Sequence, residues 1–180
     1  SSRRRHTRFR NVTGVQTCAL PIFAFDQMGL FAAPTALARP SETYTAQSSP
    51  VAVNSDNTTN VVVHGLSACM TAFSLSLGVE MVFEQKAGCV KQVRITDRKP
   101  SGSITIELPD ISTKDFVAIA SAQTTGSLGW VHGSTPGNII TFAASSVAFD
   151  SPTFEDVNSV THVTLPYRLL GDNTWSIAYT

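Results

Sequence analysis

Charge is scarce in this 180-residue chain: Asp, Glu, Lys and Arg make up only 14% of it, whereas 42% is hydrophobic. That composition is globular, and so little charge points to β-structure or a large buried interface. Long apolar runs are absent as well. None approaches the ~18 residues of a membrane helix, and no membrane partner is expected. Cysteine is rare, with three in the chain. Cys69 and Cys89 make neither a zinc pattern nor a disulfide framework. A bond between them stays open if their strands are neighbours. The favoured reading is two reduced, buried thiols in a protein made in bacterial cytoplasm, where the Asn57-Thr58-Thr59 sequon has no consequence.

Catalytic signatures are missing too. Gly126-Ser127-Leu128-Gly129 lacks the spacing of a nucleophile elbow. There is no P-loop, no G-x-G-x-x-G and no H-E-x-x-H. His64, His132 and His162 are far apart and read as strand-end or surface residues. Glu155 and Asp156 read as an acidic loop, and nothing aims them at a shared cleft as paired-carboxylate chemistry requires. The expectation is a protein without catalysis, cofactor or metal.

What is present is enough chain for one domain with a sizeable core. The formal net charge is zero but uneven. Arg3, Arg4, Arg5, Arg8 and Arg10 face no acid before Phe23, which leaves 8 basic residues against 13 acids, about −5, for the rest. Residues 1–22 admit three readings: a basic arm, a secretory signal, or a non-native extension. The string SSRRRHTRFRNVTGVQTCALPI resembles translated sequencing-adapter DNA, so a disordered, adapter-derived segment is expected, with the true N-terminus missing. Pro21 also interrupts the apolar run that a signal needs. Residues 23–43 read as an N-terminal arm, whose Phe23–Arg39 part is Ala-rich and could hold a short helix. Residues 44–180 read as a single β domain.

Within that domain Tyr44–Val53 reads as a first strand, followed by a polar turn over Asn54–Asn60 and a short β-branched run at Val61–Val63. The clearest signal is Ala72–Gln85, where Phe73, Leu75 and Leu77 alternate with Ser74 and Ser76. It predicts one long strand, bent at Gly78. Val90–Thr96 and Ser103–Leu108 predict the next pair, joined through the turn chemistry of Asp97–Gly102. Ser112–Gln123 predicts the one helix, with Ser112 and Asp115 as a capping box and Phe116, Ile119, Ala120 and Gln123 on one face. Leu128–His132, Asn138–Phe142, Val147–Phe149, Val160–Leu169 and Thr174–Tyr179 are β-like runs between turn residues. The fold class expected is mainly β, an antiparallel sandwich or barrel with one flanking helix at about 112–123. Trp130 and Trp175 read as core or half-buried strand aromatics. Asp97, Arg98 and Lys99 form the densest charge cluster of the body and read either as a solvated hairpin tip or as a loop pairing with an adjacent subunit.

Ala72-Phe73-Ser74-Leu75-Ser76-Leu77-Gly78, followed by Val93-Arg94-Ile95-Thr96-Asp97-Arg98-Lys99-Pro100-Ser101-Gly102-Ser103-Ile104-Thr105-Ile106-Glu107, resembles the middle of bacteriophage tail tube proteins. Val163–Arg168 and Trp175–Ile177 are compatible with it, so the resemblance spans roughly residues 61–180. It implies a virion structural protein made in the host cytoplasm. Its subunits form rings, hexameric as a rule, that stack into a hollow tail tube. The tape-measure and tail terminator proteins would be further partners, and DNA would pass as non-specific cargo. On that reading Ser74, Ser76, Ser103, Thr105 and Glu107 face the lumen, and Asp97, Arg98 and Lys99 form an inter-subunit loop. The alternative from another class is a secreted or surface β-sandwich binding module of the adhesin or pilin kind, which requires the first residues to be an export signal.

Overall fold

The computed structural model describes residues 23–30, 41 and 51–180. The Arg-rich start lies outside the described residues, and so does most of Tyr44–Val53; residues 51–53 are not strand. Residues 23–30 are exposed and carry no regular structure. The described chain is mainly β, antiparallel throughout, with a single short helix. In order the elements are β1 (Thr58–Val63), β2 (Leu66–Ser67), β3 (Met70–Ser76), β4 (Val79–Glu84), β5 (Gln92–Arg98), β6 (Ser101–Glu107), α1 (Phe116–Ser121), β7 (Gly126–His132), β8 (Ile140–Phe149), β9 (Thr153–Val157), β10 (Val160–Leu169) and β11 (Trp175–Tyr179).

Nine of the strands form one sheet in the order β2-β1-β7-β8-β10-β6-β3, with β11 added to β8 and β9 added to β10. The two longest strands each serve two partners along one edge. Ile140–Ala144 of β8 pairs with β11, and Val147–Phe149 pairs with the end of β10. In the same way Val160–Thr164 of β10 pairs with β9, and Tyr167–Leu169 with β8. The sheet folds over along these strands into two layers without closing into a barrel. One layer is β2-β1-β7-β8-β11 and the other is β9-β10-β6-β3. They face each other closely: Phe73 of β3 lies 5.3 Å from Trp130 and 5.1 Å from Phe142, centroid to centroid.

The alternation that a half-buried strand requires supplies the core. Ile104, Ile106, Val163, Leu165 and Tyr167 point inward from one layer, and Val63, Leu128, Phe142 and Ala144 from the other. Helix α1 adds Phe116 and Ala120, with the Phe116 ring edge-on to Phe149 at 6.0 Å. It is shorter than expected because its cap is Asp115 and not Ser112. The Asp115 carboxylate accepts the Val117 and Ala118 amides at 3.0 and 2.9 Å, whereas the Ser112 amide is bound to Asp110.

Two expected connections are corrected. The long strand over Ala72–Gln85 is two strands, broken at Gly78, which takes φ +54°; a Cβ there would collide with the Lys99 carbonyl. Its partner is broken at the same level by Pro100, which has no amide to give to a ladder. Strand β5 therefore pairs with β4 and not with β6, while β6 pairs with β3. The registers Ser76↔Ser101 and Val79↔Arg98 show one continuous hairpin that leaves the sheet at the bend. Its tip is residues 85–91, so Asp97–Lys99 is the root of the ribbon, not a hairpin tip. Further along, Asn138–Phe142 and Val147–Phe149 merge into β8, and Glu155 and Asp156 lie in β9 rather than in a loop. Strand β9 turns into β10 at Asn158-Ser159, whose φ values of 55° and 63° match the two-residue turn favoured by twisted hairpins.

Candidate functional site

The outer face of the β9-β10-β6-β3 layer is paved with small polar groups. Because Ile104 and Ile106 point inward, Ser103, Thr105 and Glu107 point outward, and the register sets Ser74 beside Ser103 and Ser76 beside Ser101. The five residues expected to face a lumen thus share one face. The hydroxyls bind one another: Ser74 Oγ to Ser103 Oγ at 2.8 Å, and Thr105 Oγ1 to Thr164 Oγ1 at 2.8 Å. Thr105 is nearly buried, in a central strand with Ala72 and Thr164 on either side; Ser74, Ser76 and Glu107 are exposed.

Strands β9 and β10 extend the face with Thr153, Thr164, Glu155 and His162. Sequence reading missed these four. The alternation of β10 and the Asn158-Ser159 turn would have found them. Among the described residues the one Arg or Lys side chain of the face, Arg168 at its end, is held 2.7 Å from Asp150. Among the described residues both margins of this layer are unpaired: β9 pairs only with β10, and β3 only with β6. Every residue of β9 is exposed.

The β4–β5 ribbon has two unlike faces. Met81 opposite Ile95 and Phe83 opposite Val93 make the middle of one face apolar, and Val79 opposite Arg98 continues it at the root. Phe83 is 46% exposed and Ile95 53%. The other face pairs Glu84 with Gln92 and Val82 with Arg94. Glu84 sits 3.3 Å from Lys86 and 3.5 Å from Arg94, and the Lys86 hydrogen bond holds its carboxyl below the usual range. At the root, Lys99 Nζ lies 2.6 Å from Asp97 and 3.5 Å from Glu80. The Lys99 hydrogen bond, then the Arg98 amide, draws the Asp97 carboxyl down. Asp97 and Lys99 are thus paired within the chain.

The outer face of the other layer is different again. Ser127, Gly129, Ala143, Ser145 and Ser176 floor a shallow groove of about 450 Å³ whose lining holds no charged residue.

Two expectations about single residues are corrected. The histidines are buried rather than superficial. His64 stacks on Phe149 at 4.5 Å and reaches the Val147 carbonyl with Nε2. His132 spans Thr58 and the Val51 carbonyl, and His162 binds the Val160 carbonyl. Cys69 and Cys89 are free but exposed, because one lies between β2 and β3 and the other in the ribbon tip. Trp130 and Trp175 are half-buried against the core, as expected. Among the described residues no group of three or more His, Cys, Asp or Glu could hold a metal ion.

No protein-family model and no curated protein matches the chain. Among solved structures it matches a chain from the tail of an empty GTA particle, obtained with helical refinement under C6 symmetry. The identity is 14%, the match covers 72% of this chain and 99% of that one, and the TM-score is 0.36. A likeness of that degree decides nothing about this chain.

Proposed function

We propose that the chain is a structural subunit that self-assembles into stacked rings, hexameric as a rule, forming a virion tail tube through which DNA passes. The observation that carries this is the layer β9-β10-β6-β3, unpaired at both margins among the described residues and hydroxyl-paved on its outer face. Its four strands alternate in direction, so β3 of one copy and β9 of the next run opposite ways. Edge pairing between them continues the antiparallel sheet from copy to copy, and a closed ring leaves no margin unpaired. In such a ring Ser74, Ser76, Ser103, Thr105 and Glu107 turn toward the bore. A wall whose one arginine is already paired releases no counterions to DNA phosphates and does not hold them.

The tail tube resemblance of residues 61–180 supports the same assignment. The role is structural and without catalysis. Its site is the virion tail, after synthesis in the host cytoplasm. Its partners are further copies, a tape-measure protein and a tail terminator, and Asp97, Arg98 and Lys99 lie beside the junction between copies. Light scattering and negative-stain microscopy of the full chain at rising concentration test this. Rings or tubes are expected, and a chain that stays monomeric at every concentration overturns it.

A further inference from the structure

At one end of the β9-β10-β6 face three acceptors stand in a row. His162 of β10 has Glu107 of β6 directly opposite on one side and Glu155 of β9 on the other. Both glutamates are exposed, whereas His162 is only 8% exposed between them. The imidazole Nδ1 donates to the Val160 carbonyl at 3.0 Å. That bond puts the proton of the neutral ring on Nδ1 and leaves Nε2 a bare lone pair. Among the described residues neither Nε2 nor either carboxylate has a partner. A nearly buried acceptor between two carboxylates, with no donor at hand, calls for a cationic donor from outside.

The spacing selects the kind of cation. Neighbouring strands lie about 4.8 Å apart, so the two carboxylates bracket about 10 Å. The three groups are not gathered around one point as a metal ion requires. Acceptors strung in a line suit donors strung in a line. Beside the row, Val160 opposite Val157 makes an apolar step, 40% and 43% exposed.

We propose that Glu107, His162 and Glu155 bind an organic polyamine, with its ammonium groups on the three acceptors and its methylene chain over Val157 and Val160. The site is complete within one copy and goes beyond the ring reading. Edge pairing through the backbone of β9 leaves its face open.

Long-range nitrogen–proton NMR of the dilute full chain near neutral pH tests it. The variant His162→Gln identifies the His162 ring by loss of its resonances. Spermidine should shift the Nε2 resonance saturably. Glu107→Gln and Glu155→Gln should each weaken binding about threefold and together about tenfold, as exposed charge pairs do. Asp156→Asn removes an equal charge from the opposite side of β9 and should change nothing. Magnesium, which parts reluctantly with its water, should barely move the ring. The site is overturned by any of three results: no shift, a shift that the double variant keeps, or an equal response to magnesium. Spermidine binding by a chain that never forms rings would keep the site and refute the ring. Rings without spermidine binding would do the reverse.

Discussion

Tyr167 of β10 reaches across β6 to donate its hydroxyl to the Ser74 carbonyl of β3 at 2.8 Å, with its ring stacked on Phe73. Burial pushes its phenol well above the usual value, so it remains a donor at any working pH. The ring passes over Gly102, where a Cβ would run into the Ser74 carbonyl and the Tyr167 hydroxyl. Tyr167→Phe should cost about 1 kcal/mol, a hydrogen bond to a carbonyl left without its donor. Gly102→Ala should cost more, about 1–3 kcal/mol, because a packed core must shift to admit a methyl. Urea unfolding followed by tryptophan fluorescence measures both, and equal midpoints for the two variants would contradict this packing.

His64 gives a pH signature: burial foremost, then the nearby Lys114 charge, depresses its pKa below the ordinary 6.5, against an opposing hydrogen bond to Val147. The unfolded chain then takes up the proton first. The stability this neutral ring contributes is complete above about pH 6.5 and is lost as pH falls below it. His64→Asn keeps the left-handed turn at φ 48° and should flatten the fall of Tm between pH 7 and pH 5.

At the scale of elements, the bend at Gly78 decides how the ribbon leaves the sheet. Gly78→Ala should destabilise by about 1–3 kcal/mol, since it adds backbone collision to a disfavoured φ. In dilute protein the ribbon amides should exchange hydrogen faster than those of β6 and β8, for lack of packing on one side. They should gain protection on assembly, and mass spectrometry of the exchange at two concentrations reads both.

This is also the scale at which sequence was most and least informative. The alternation of Ser103–Leu108 and Val160–Leu169 was legible because each strand has one buried face. The division of Ala72–Gln85 was not, because the same alternation runs through the bend and only the facing Pro100 reveals it. The helix was legible from its buried face, Phe116 and Ala120, but its start was misjudged because two acids, Asp110 and Asp115, compete to bind successive amides. The polar face was half legible: β3 and β6 announce their serines and threonines, whereas the contribution of β9 depends on a pairing no local pattern states.

For the whole molecule, the outer face of the β9-β10-β6-β3 layer is neutral to acidic, and residues from Phe23 onward carry about −5. The assembled protein should not retain duplex DNA at physiological salt. Ser74→Lys with Ser103→Lys should create salt-sensitive retention, with affinity falling as salt rises. Fluorescence anisotropy with labelled DNA measures it, and unchanged binding by the variant would place these residues away from the path of DNA.

The ends of strands β8 and β10 pair with each other, so the two layers of the subunit are stitched by backbone hydrogen bonds as well as by side chains meeting in a core. A pull on the exterior reaches the interior along the backbone, loading hydrogen-bond ladders in shear instead of prising two leaves apart. A conduit made of such units would flex as a single elastic sheet and would resist delamination under internal pressure.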